Sequence, residues 1–309
     1  MSESNIEETV QAYINHCRYE KGLDAKTLKA YRTDISQLIS YIDHSGSDYS
    51  KECIQAYIAD LYGKYAIKSV KRKIASLKAF FNYLEFEGIL SPNPFVKMRI
   101  KLHEPFLLPR TTPLAVIDTL LVCAHDQIAK DNKHTYQYCT HLRDIAVLEV
   151  LFATGVRISE MCSLHSSDID LQEGCVKIYG KGAKERLIQI GNQEVLNALR
   201  KYHAEFSDKI QETGWFFVNR LGKRLSDQSV RNMITKYCDL AGIQMHITPH
   251  MFRHSFATLL LEEDVDIRYI QRLLGHSSIV TTQIYTHVTT KKQRDILTTK
   301  HPRNRINTA

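Results

Sequence analysis

The sequence predicts a mainly α-helical protein with an all-α amino-terminal domain and a mixed, mostly α carboxyl-terminal domain that holds a small antiparallel β-sheet. Three observations predict this class. Apolar residues recur at helical spacing through most of the chain, five of the seven prolines fall within residues 91–113, and one segment alternates as a β-hairpin does. We therefore place the first domain at residues 1–90, a linker at 91–113 and the second domain at 114–309.

Composition narrows the class of protein. The chain has 309 residues, of which 43% are hydrophobic, as in an ordinary globular protein. No apolar run is long enough to span a bilayer and the amino terminus is polar and acidic, so we expect a cytoplasmic protein without a membrane partner. The seven scattered cysteines form no C-x-x-C pair, which argues against a disulfide framework and a zinc site.

The first domain is expected to contain four helices, at residues 5–20, 25–43, 51–62 and 66–86, with Asp24 capping the second. In the fourth helix, one narrow stripe is apolar: Val70, Ile74, Leu77, Phe81 and Leu84. The opposite side carries Lys64, Lys68, Lys71, Arg72 and Lys78. This basic side is either a solvated face or a DNA contact, and the absence of acidic residues from Leu61 to Leu84 favours DNA.

Charge and proline mark the linker. Residues 1–90 hold 12 basic and 12 acidic residues, so the net charge of +7 arises after residue 90. Proline removes backbone donors and stiffens the chain, which predicts an extended connector. The linker contains one acidic residue, Glu104, and several basic ones: Lys97, Arg99, Lys101 and Arg110. This excess of positive charge predicts contact with a nucleic-acid backbone.

The second domain is expected to open with a helix at 114–124, followed by a loop or an extended helix end at 125–141. The histidines of that segment, His125, His134 and His141, are interpreted as surface residues and not as metal ligands. An apolar helix at 142–152 ends at Thr154 and Gly155, and another helix begins at Ser159. Between them, Arg157 is either oriented by Glu160 next to the core or forms an ordinary surface ion pair.

The β signal lies at residues 174–190, where Val176, Ile178, Leu187 and Ile190 flank a glycine-rich turn. The turn lacks G-x-x-x-x-G-K-[ST], so a hairpin that carries Lys181 to a substrate fits better than a nucleotide-binding loop. Helices are expected at 194–206 and 227–240, separated by the apolar patch 215–218 and a turn. The basic residues of the hairpin and the turn are further predicted DNA contacts: Lys184, Arg186, Lys223 and Arg224.

A stretch from Thr248 to Tyr285 concentrates groups that bind phosphate. Thr248, as a side-chain cap, and Pro249, at the first helical position, predict a helix start that places His250 and Arg253 on one face. A second helix at 267–274 is closed by Gly275, which leaves His276 at the break, and Tyr285 is expected on a short helix that begins near Thr281.

These residues suit a phosphodiester transfer. Arg157 and Arg253 can each bind two phosphate oxygens and stabilise developing negative charge. A free tyrosine has a pKa of about 10, so Tyr285 needs a base to become a nucleophile. His250 is the candidate base, His276 a hydrogen-bond donor to the phosphate, and Lys181 the acid for the leaving oxygen. The acidic residues Glu262, Glu263, Asp264 and Asp266 fit a helix end and surface, which disfavours a metal-dependent nuclease or transposase.

The motifs ATGVRISE, GKGAKER, HMFRHSFAT, LLGHSSIVTTQIYTH and HPR resemble the tyrosine recombinase (phage integrase) family, most of all its Xer branch. They cover most of residues 142–302 in the family's order. The amino-terminal region is similar to the family's four-helix, SAM-like core-binding domain.

The resemblance implies that Arg157, Lys181, His250, Arg253 and His276 assemble the site around the nucleophile Tyr285. The tyrosine would join the 3′ side of a cut strand, and the released 5′ hydroxyl would attack a partner's phosphotyrosine, through a Holliday junction and without a metal or other cofactor. The implied assembly is a tetramer, of one or two kinds of subunit, on two double-stranded DNA sites with inverted half-sites. The implied role is chromosome dimer resolution or the integration and excision of a mobile element; the segment 123–141 is longer than in typical Xer proteins.

Alternatives stay open both for the segment after the motifs and for the function. The segment beyond Tyr285, with Val288 and Ile296, either packs onto a neighbouring subunit or forms a terminal helix on its own domain. Three other functions compete with recombination: a relaxing topoisomerase of the same chemistry, a DNA-binding regulator that does not cut, and a histidine-rich metal hydrolase. The six catalytic residue types and the Xer-like motifs favour recombination.

Overall fold

The computed structural model describes residues 3–96, 98–100, 110–180 and 185–275. The chain divides into two compact units, Met1–Phe106 and Leu107–Ala309, which are described separately. Among the described helices, none is both long and apolar enough to cross a membrane.

The first unit contains the four predicted helices: α1 (Glu3–Tyr19), α2 (Ala25–Ser45), α3 (Lys51–Lys64) and α4 (Ile67–Phe86). The predicted cap is confirmed, because Asp24 Oδ1 accepts the amide of Thr27 at 2.9 Å. All five residues of the predicted apolar stripe of α4 are buried and form the centre of the core with Tyr13, Ile35 and Leu38. The hydrophobic period therefore determined which face of α4 points inward.

The basic side of α4 differs from the expectation at Arg72, which shares a buried carboxylate with Lys73, a residue outside the predicted basic set. Asp34 of α2 is fully buried and binds the ammonium of Lys73, which is also buried, at 3.0 Å. Arg72 Nη2 donates to Asp34 Oδ1 at 2.9 Å. A buried carboxylate needs such partners, so Lys73 and Arg72 stabilise Asp34 at the edge of the basic face.

The segment 91–113 is not extended throughout. Phe95 is buried in the first core with its ring centroid 5.4 Å from that of Phe81, and its amide donates to Asn93 Oδ1 at 3.0 Å. The burial of an aromatic ring stabilises this turn, a contribution that the proline content alone does not reveal. The other end of the segment belongs to the second unit, within which Thr112 exchanges two hydrogen bonds with Ser255, at 2.7 and 2.8 Å.

The second unit is mostly helical and contains one small sheet. Its helices are α5 (Leu114–Ala129), α6 (Tyr136–Thr154), α7 (Ile158–Cys162), α8 (Gln193–Thr213), α9 (Asp227–Leu240), α10 (Pro249–Glu262) and α11 (Ile267–Leu274). The strands β1 (Ile169–Asp170), β2 (Cys175–Tyr179) and β3 (Glu185–Gln189) form an antiparallel sheet in the order β1-β2-β3. The predicted hairpin is confirmed, with Val176 paired to Ile188, whereas β1 was not predicted because two residues carry no usable alternation.

The prediction for residues 125–141 was wrong in part. Helix α5 continues to Ala129, and α6 begins at Tyr136, with Thr135 Oγ1 accepting the amide of Tyr138 at 3.2 Å. Ile128 and Tyr138 pack against the core, which extends both helices beyond the polar pattern of the sequence. The histidines pair with carboxylates: His141 Nδ1 lies 2.6 Å from Asp131 and His134 Nδ1 lies 3.0 Å from Glu205.

Helix α6 lies at the centre of this unit. It packs against α5, α8 and α10, and most of its side chains from Leu142 to Leu151 are buried. Gly155 ends it with φ of 59°, a left-handed conformation that glycine adopts without steric cost. A Cβ at this position would lie 2.5 Å from the ring of Phe256, so α10 approaches the end of α6 closely. This approach positions the residues described next.

Candidate active site

Arg157 immediately precedes α7, three residues after the end of α6. Its Nη1 donates to Glu160 Oε1 at 2.7 Å, and its backbone amide donates to Glu160 Oε2 at 2.9 Å. The side chain of Glu160 is 6% exposed, whereas that of Arg157 is 34% exposed. An ordinary surface ion pair has two mobile partners, so the structure favours the interpretation that Glu160 orients Arg157 from the core side.

Arg253 is the second guanidinium of the site. It projects from α10 and is 3% exposed. Its Nη1 donates to the carbonyl of Gly155 at 2.8 Å and its Nη2 to the carbonyl of Leu274 at 2.6 Å. These carbonyls end α6 and α11, where unpaired acceptors and the helix dipole both favour a cation. The bond to Gly155 also brings Arg253 next to the segment that carries Arg157.

Helix α10 begins at Pro249, as predicted, but the proposed capping role of Thr248 was wrong. The Thr248 side chain makes no capping hydrogen bond; its backbone carbonyl instead accepts the amide of Met251 at 2.9 Å. The first turn is therefore closed by the main chain. His250 and Arg253 are three positions apart, so the two share a helix face, and His250 is the more exposed of them.

The electrostatics of α10 keep its histidines neutral. Partial burial, followed by the positive charges of Arg253 and Arg157, lowers the pKa of His250 below its ordinary value. A neutral imidazole at pH 7 can accept a proton, which is what a general base requires. One turn later, burial, with His250 and Arg253 as further causes, lowers the pKa of His254 to about 4.

The low pKa of His254 predicts a loss of stability in acid. Between pH 6.5 and about 4 the unfolded chain binds a proton at this histidine that the folded chain does not, so the unfolding free energy falls as the pH falls through that window. We expect His254→Gln to reduce this fall, measured by urea unfolding at several pH values. His246→Gln, at an exposed histidine, is the control. An unchanged pH dependence in His254→Gln would contradict a partly buried, neutral imidazole at this position.

Arg186 of β3 has an internal position that differs from the predicted DNA contact. Its side chain is 12% exposed and donates to both oxygens of Glu160, at 2.7 and 3.2 Å, and to the carbonyl of Leu273 at 2.8 Å. Burial opposes the ionisation of Glu160, but the hydrogen bonds from Arg186 and from the amide of Arg157 outweigh it and lower the pKa of Glu160. One carboxylate thus joins two arginines.

The structure brings together three of the six predicted catalytic residues, Arg157, His250 and Arg253, with Glu160 holding Arg157 as one of the two sequence interpretations expected, and it adds Arg186 to them. Lys181, His276 and Tyr285 lie outside the described residues. Two of them lie close in the sequence to described elements, because β3 begins at Glu185, shortly after Lys181, and Gly275 directly precedes His276. Sequence reasoning missed the internal role of Arg186, although strand alternation places it on the same face as the buried Ile188.

The predicted DNA contacts lie in several environments. Lys68, Arg99, Lys223 and Arg224 are exposed, and Lys71 and Lys78 are half-buried. Lys64 Nζ lies 2.7 Å from Asp60, and Arg224 donates to Ser163 at 3.2 Å. Lys97, Lys101 and Lys184 lie outside the described residues. Within the part of the chain that the structure describes, no group of three or more His, Cys, Asp or Glu could hold a metal ion, and all seven cysteines are free thiols.

Both parts of the chain match models of one known protein family. Residues 122–292 match the phage integrase family, and residues 10–88 match its N-terminal SAM-like domain. The chain belongs to the phage integrase family. It is similar to a tyrosine recombinase of Agathobacter rectalis, with 52% identity over 97% of this chain and 98% of the relative.

A further relative places the chain within its family, and a solved structure matches its fold. The chain is 35% identical to tyrosine recombinase XerC of Thermodesulfovibrio yellowstonii over 97% of this chain and 98% of the relative. The fold resembles that of the XerH site-specific recombinase in a post-cleavage complex with palindromic difH DNA, with a TM-score of 0.72, 18% identity and coverage of 94% of this chain and 83% of that chain. The chain is a tyrosine recombinase of the Xer branch.

Proposed function

We propose that this site-specific recombinase cuts and rejoins DNA through a 3′-phosphotyrosine at Tyr285. The observation that carries the proposal is the bond from Arg253 to the carbonyl of Gly155, which joins the catalytic helix α10 to the segment that carries Arg157. Two guanidiniums held from neighbouring elements, beside a histidine whose pKa is lowered, supply charge stabilisation and a proton acceptor for a phosphodiester transfer.

In the proposed reaction, the phenolic oxygen of Tyr285 attacks the phosphorus and the bond to the 5′ oxygen breaks. The phenol proton passes to His250, and Lys181 donates a proton to the departing 5′ oxygen. Arg157, Arg253 and His276 hold the non-bridging oxygens as negative charge develops. The phosphotyrosine ester conserves the bond, so attack by a 5′ hydroxyl from a partner strand reverses the steps and completes strand exchange without ATP.

We propose double-stranded DNA with paired inverted half-sites as the substrate, bound by a tetramer that passes through a Holliday junction. The exposed basic residues of α4, above all Lys68, fit phosphate contacts, which position a protein without reading sequence. A Xer relative crystallised on a palindromic site supports paired half-sites. Two roles remain compatible with this chemistry, chromosome dimer resolution and mobile-element integration or excision, and both place the enzyme in the cytoplasm.

Covalent trapping tests the proposed chemistry. The DNA site is first located as the short inverted repeat that the recombinase protects from nuclease, and is then nicked so that the cleaved end diffuses away. We expect a protein–DNA adduct that resists denaturation by detergent and forms equally when EDTA is in large excess over trace metal. Protection of the site without an adduct would favour a regulator, and loss of the adduct in EDTA would favour a metal hydrolase.

A relaxing topoisomerase would form the same adduct, so a second measurement is needed. We expect the recombinase to join strands from two different duplexes that carry the site, giving a four-way junction on native gels. A topoisomerase would relax a supercoiled plasmid and form no junction.

A further inference from the structure

We propose that Arg186 is a positioning residue of the strand-transfer site, which holds Glu160 and thereby Arg157 in register with the end of α11, next to residue 276. The inference rests on the catalytic roles proposed above for Arg157 and His276. It gives an internal function to a basic residue whose type alone indicates a DNA contact.

The hydrogen bonds of Arg186 join three separate elements. The guanidinium projects from β3, binds both oxygens of Glu160 in α7, and donates through Nε to the carbonyl of Leu273 near the end of α11. Glu160 in turn binds the side chain and the amide of Arg157. A planar fork of fixed geometry transmits position along such a chain better than a flexible ammonium does.

Gly275 supplies a second, independent observation. A Cβ built on Gly275 would lie 2.8 Å from Arg186 Nη1 and 3.1 Å from Cζ. The backbone there has φ of 64°, so glycine is favoured both by its conformation and by the arginine that lies against it. Arg186 is therefore packed against the residue that immediately precedes His276.

Arg253 provides the other half of the same arrangement. It donates to the carbonyl of Leu274, the neighbour of the Leu273 carbonyl that Arg186 binds. A buried arginine and a mostly buried one, from different elements, thus fix successive carbonyls at the end of α11. A displacement of the α11 end would change its position relative to both Arg253 and Arg157. An error of about 1 Å in the position of an active-site group can cost on the order of 100-fold in rate.

The burial of Arg186 distinguishes this role from phosphate binding. Glu160 already occupies the bidentate side of the guanidinium, and only 12% of the side chain is exposed. A phosphate would have to compete with Glu160, whose side chain is 6% exposed, for the same guanidinium. If the phosphate displaced it, this carboxylate would lose one of its partners. The neighbouring Lys177, paired with Glu185 at 2.8 Å at the surface, shows the exposed alternative on the same hairpin.

The test compares Arg186→Lys with Arg200→Lys. Arg200 of α8 also anchors a carbonyl, donating twice to Leu171 at 2.7 and 3.2 Å, but it has no link to α7 or α11 among its described bonds. We expect Arg186→Lys to slow single-turnover cleavage of the nicked site by about 10- to 100-fold. DNA affinity and its salt dependence should remain those of the wild type. Arg200→Lys should cleave at close to the wild-type rate.

Coupling separates positioning from a general loss of stability. In an Arg157→Lys background, Arg186→Lys should slow cleavage by much less than it does alone, since the group it positions has already changed. Gly275→Ala should likewise slow cleavage less in an Arg186→Ala background than in the wild type. Urea unfolding of each variant checks that it is folded under the assay conditions.

Several outcomes would overturn the inference. A wild-type cleavage rate in Arg186→Lys, or fully additive effects with Arg157→Lys, would show that Arg186 does not position the site. Weaker DNA binding in Arg186→Gln, with the salt slope reduced by about 1, would assign it to a phosphate contact instead. If the wild type itself forms no adduct, the proposed function fails; a normal wild-type adduct with an indifferent Arg186 variant refutes this inference alone.

Discussion

Tyr285→Phe is expected to abolish the covalent protein–DNA adduct while leaving DNA binding unchanged. The variant lacks only the phenolic oxygen that forms the bond to phosphorus, so no other group can replace it in the same step. Affinity for DNA comes mainly from phosphate contacts spread over the protein and should be retained. Adduct formation on the nicked site and a gel-shift titration measure the two properties in one experiment.

Tyr269→Phe is the matched control for that experiment. Tyr269 lies on α11 and is 62% exposed, so it is an accessible phenol near the same part of the chain. We expect its replacement to leave the adduct intact. An adduct that persists in Tyr285→Phe and disappears in Tyr269→Phe would reassign the nucleophile.

Arg157→Ala and Arg253→Ala are expected to stop cleavage with little change in DNA affinity. The loss of one preorganised donor to a developing charge costs on the order of 100- to 1,000-fold in rate. The two variants should differ in stability. Arg253 is buried and binds two helix-terminal carbonyls, so its removal leaves those acceptors unpaired at a cost of about 1–3 kcal/mol in unfolding free energy. Arg157 is 34% exposed and its partner Glu160 keeps Arg186, so its removal should cost less.

Single-turnover cleavage, gel-shift titration and urea unfolding together check this prediction. Arg200→Ala, which removes a carbonyl-anchoring arginine outside the site, controls for the loss of such an anchor. If the Arg157 and Arg253 variants lose DNA binding in proportion to cleavage, the guanidiniums serve ground-state binding, and the assignment to the transition state is contradicted.

The sequence predicted the elements of this fold where one signal dominated. The apolar stripe of α4 settled both the type of element and its inward face, whereas the alternation around residues 174–190 settled the hairpin but not the inward face of β3, because Leu187 is 60% exposed. Residues 125–141 misled because their composition is polar, whereas Ile128 and Tyr138 extend two helices by packing against the core. The proline-rich segment misled in the same way, because the burial of Phe95 is a tertiary contact.

The candidate site was also predicted only in part. Residue type and motif order identified Arg157, His250 and Arg253, because few side chains suit phosphate binding and proton transfer. The sequence could not show that Arg253 binds the ends of two helices, since its partners Gly155 and Leu274 are acceptors through their backbone. Arg186 was assigned to DNA from its charge, although its strand position beside Ile188 on the inward face indicated burial.

Peptide mapping of the trapped adduct tests the central claim most directly. After digestion of the protein and the DNA, mass spectrometry of the wild-type adduct should find a nucleotide joined through its 3′ phosphate to the peptide that contains Tyr285. The cut strand should carry a free 5′ hydroxyl, which a kinase labels without prior phosphatase treatment. A nucleotide attached to any other residue, or a linkage through a 5′ phosphate, would contradict the proposed strand-transfer mechanism.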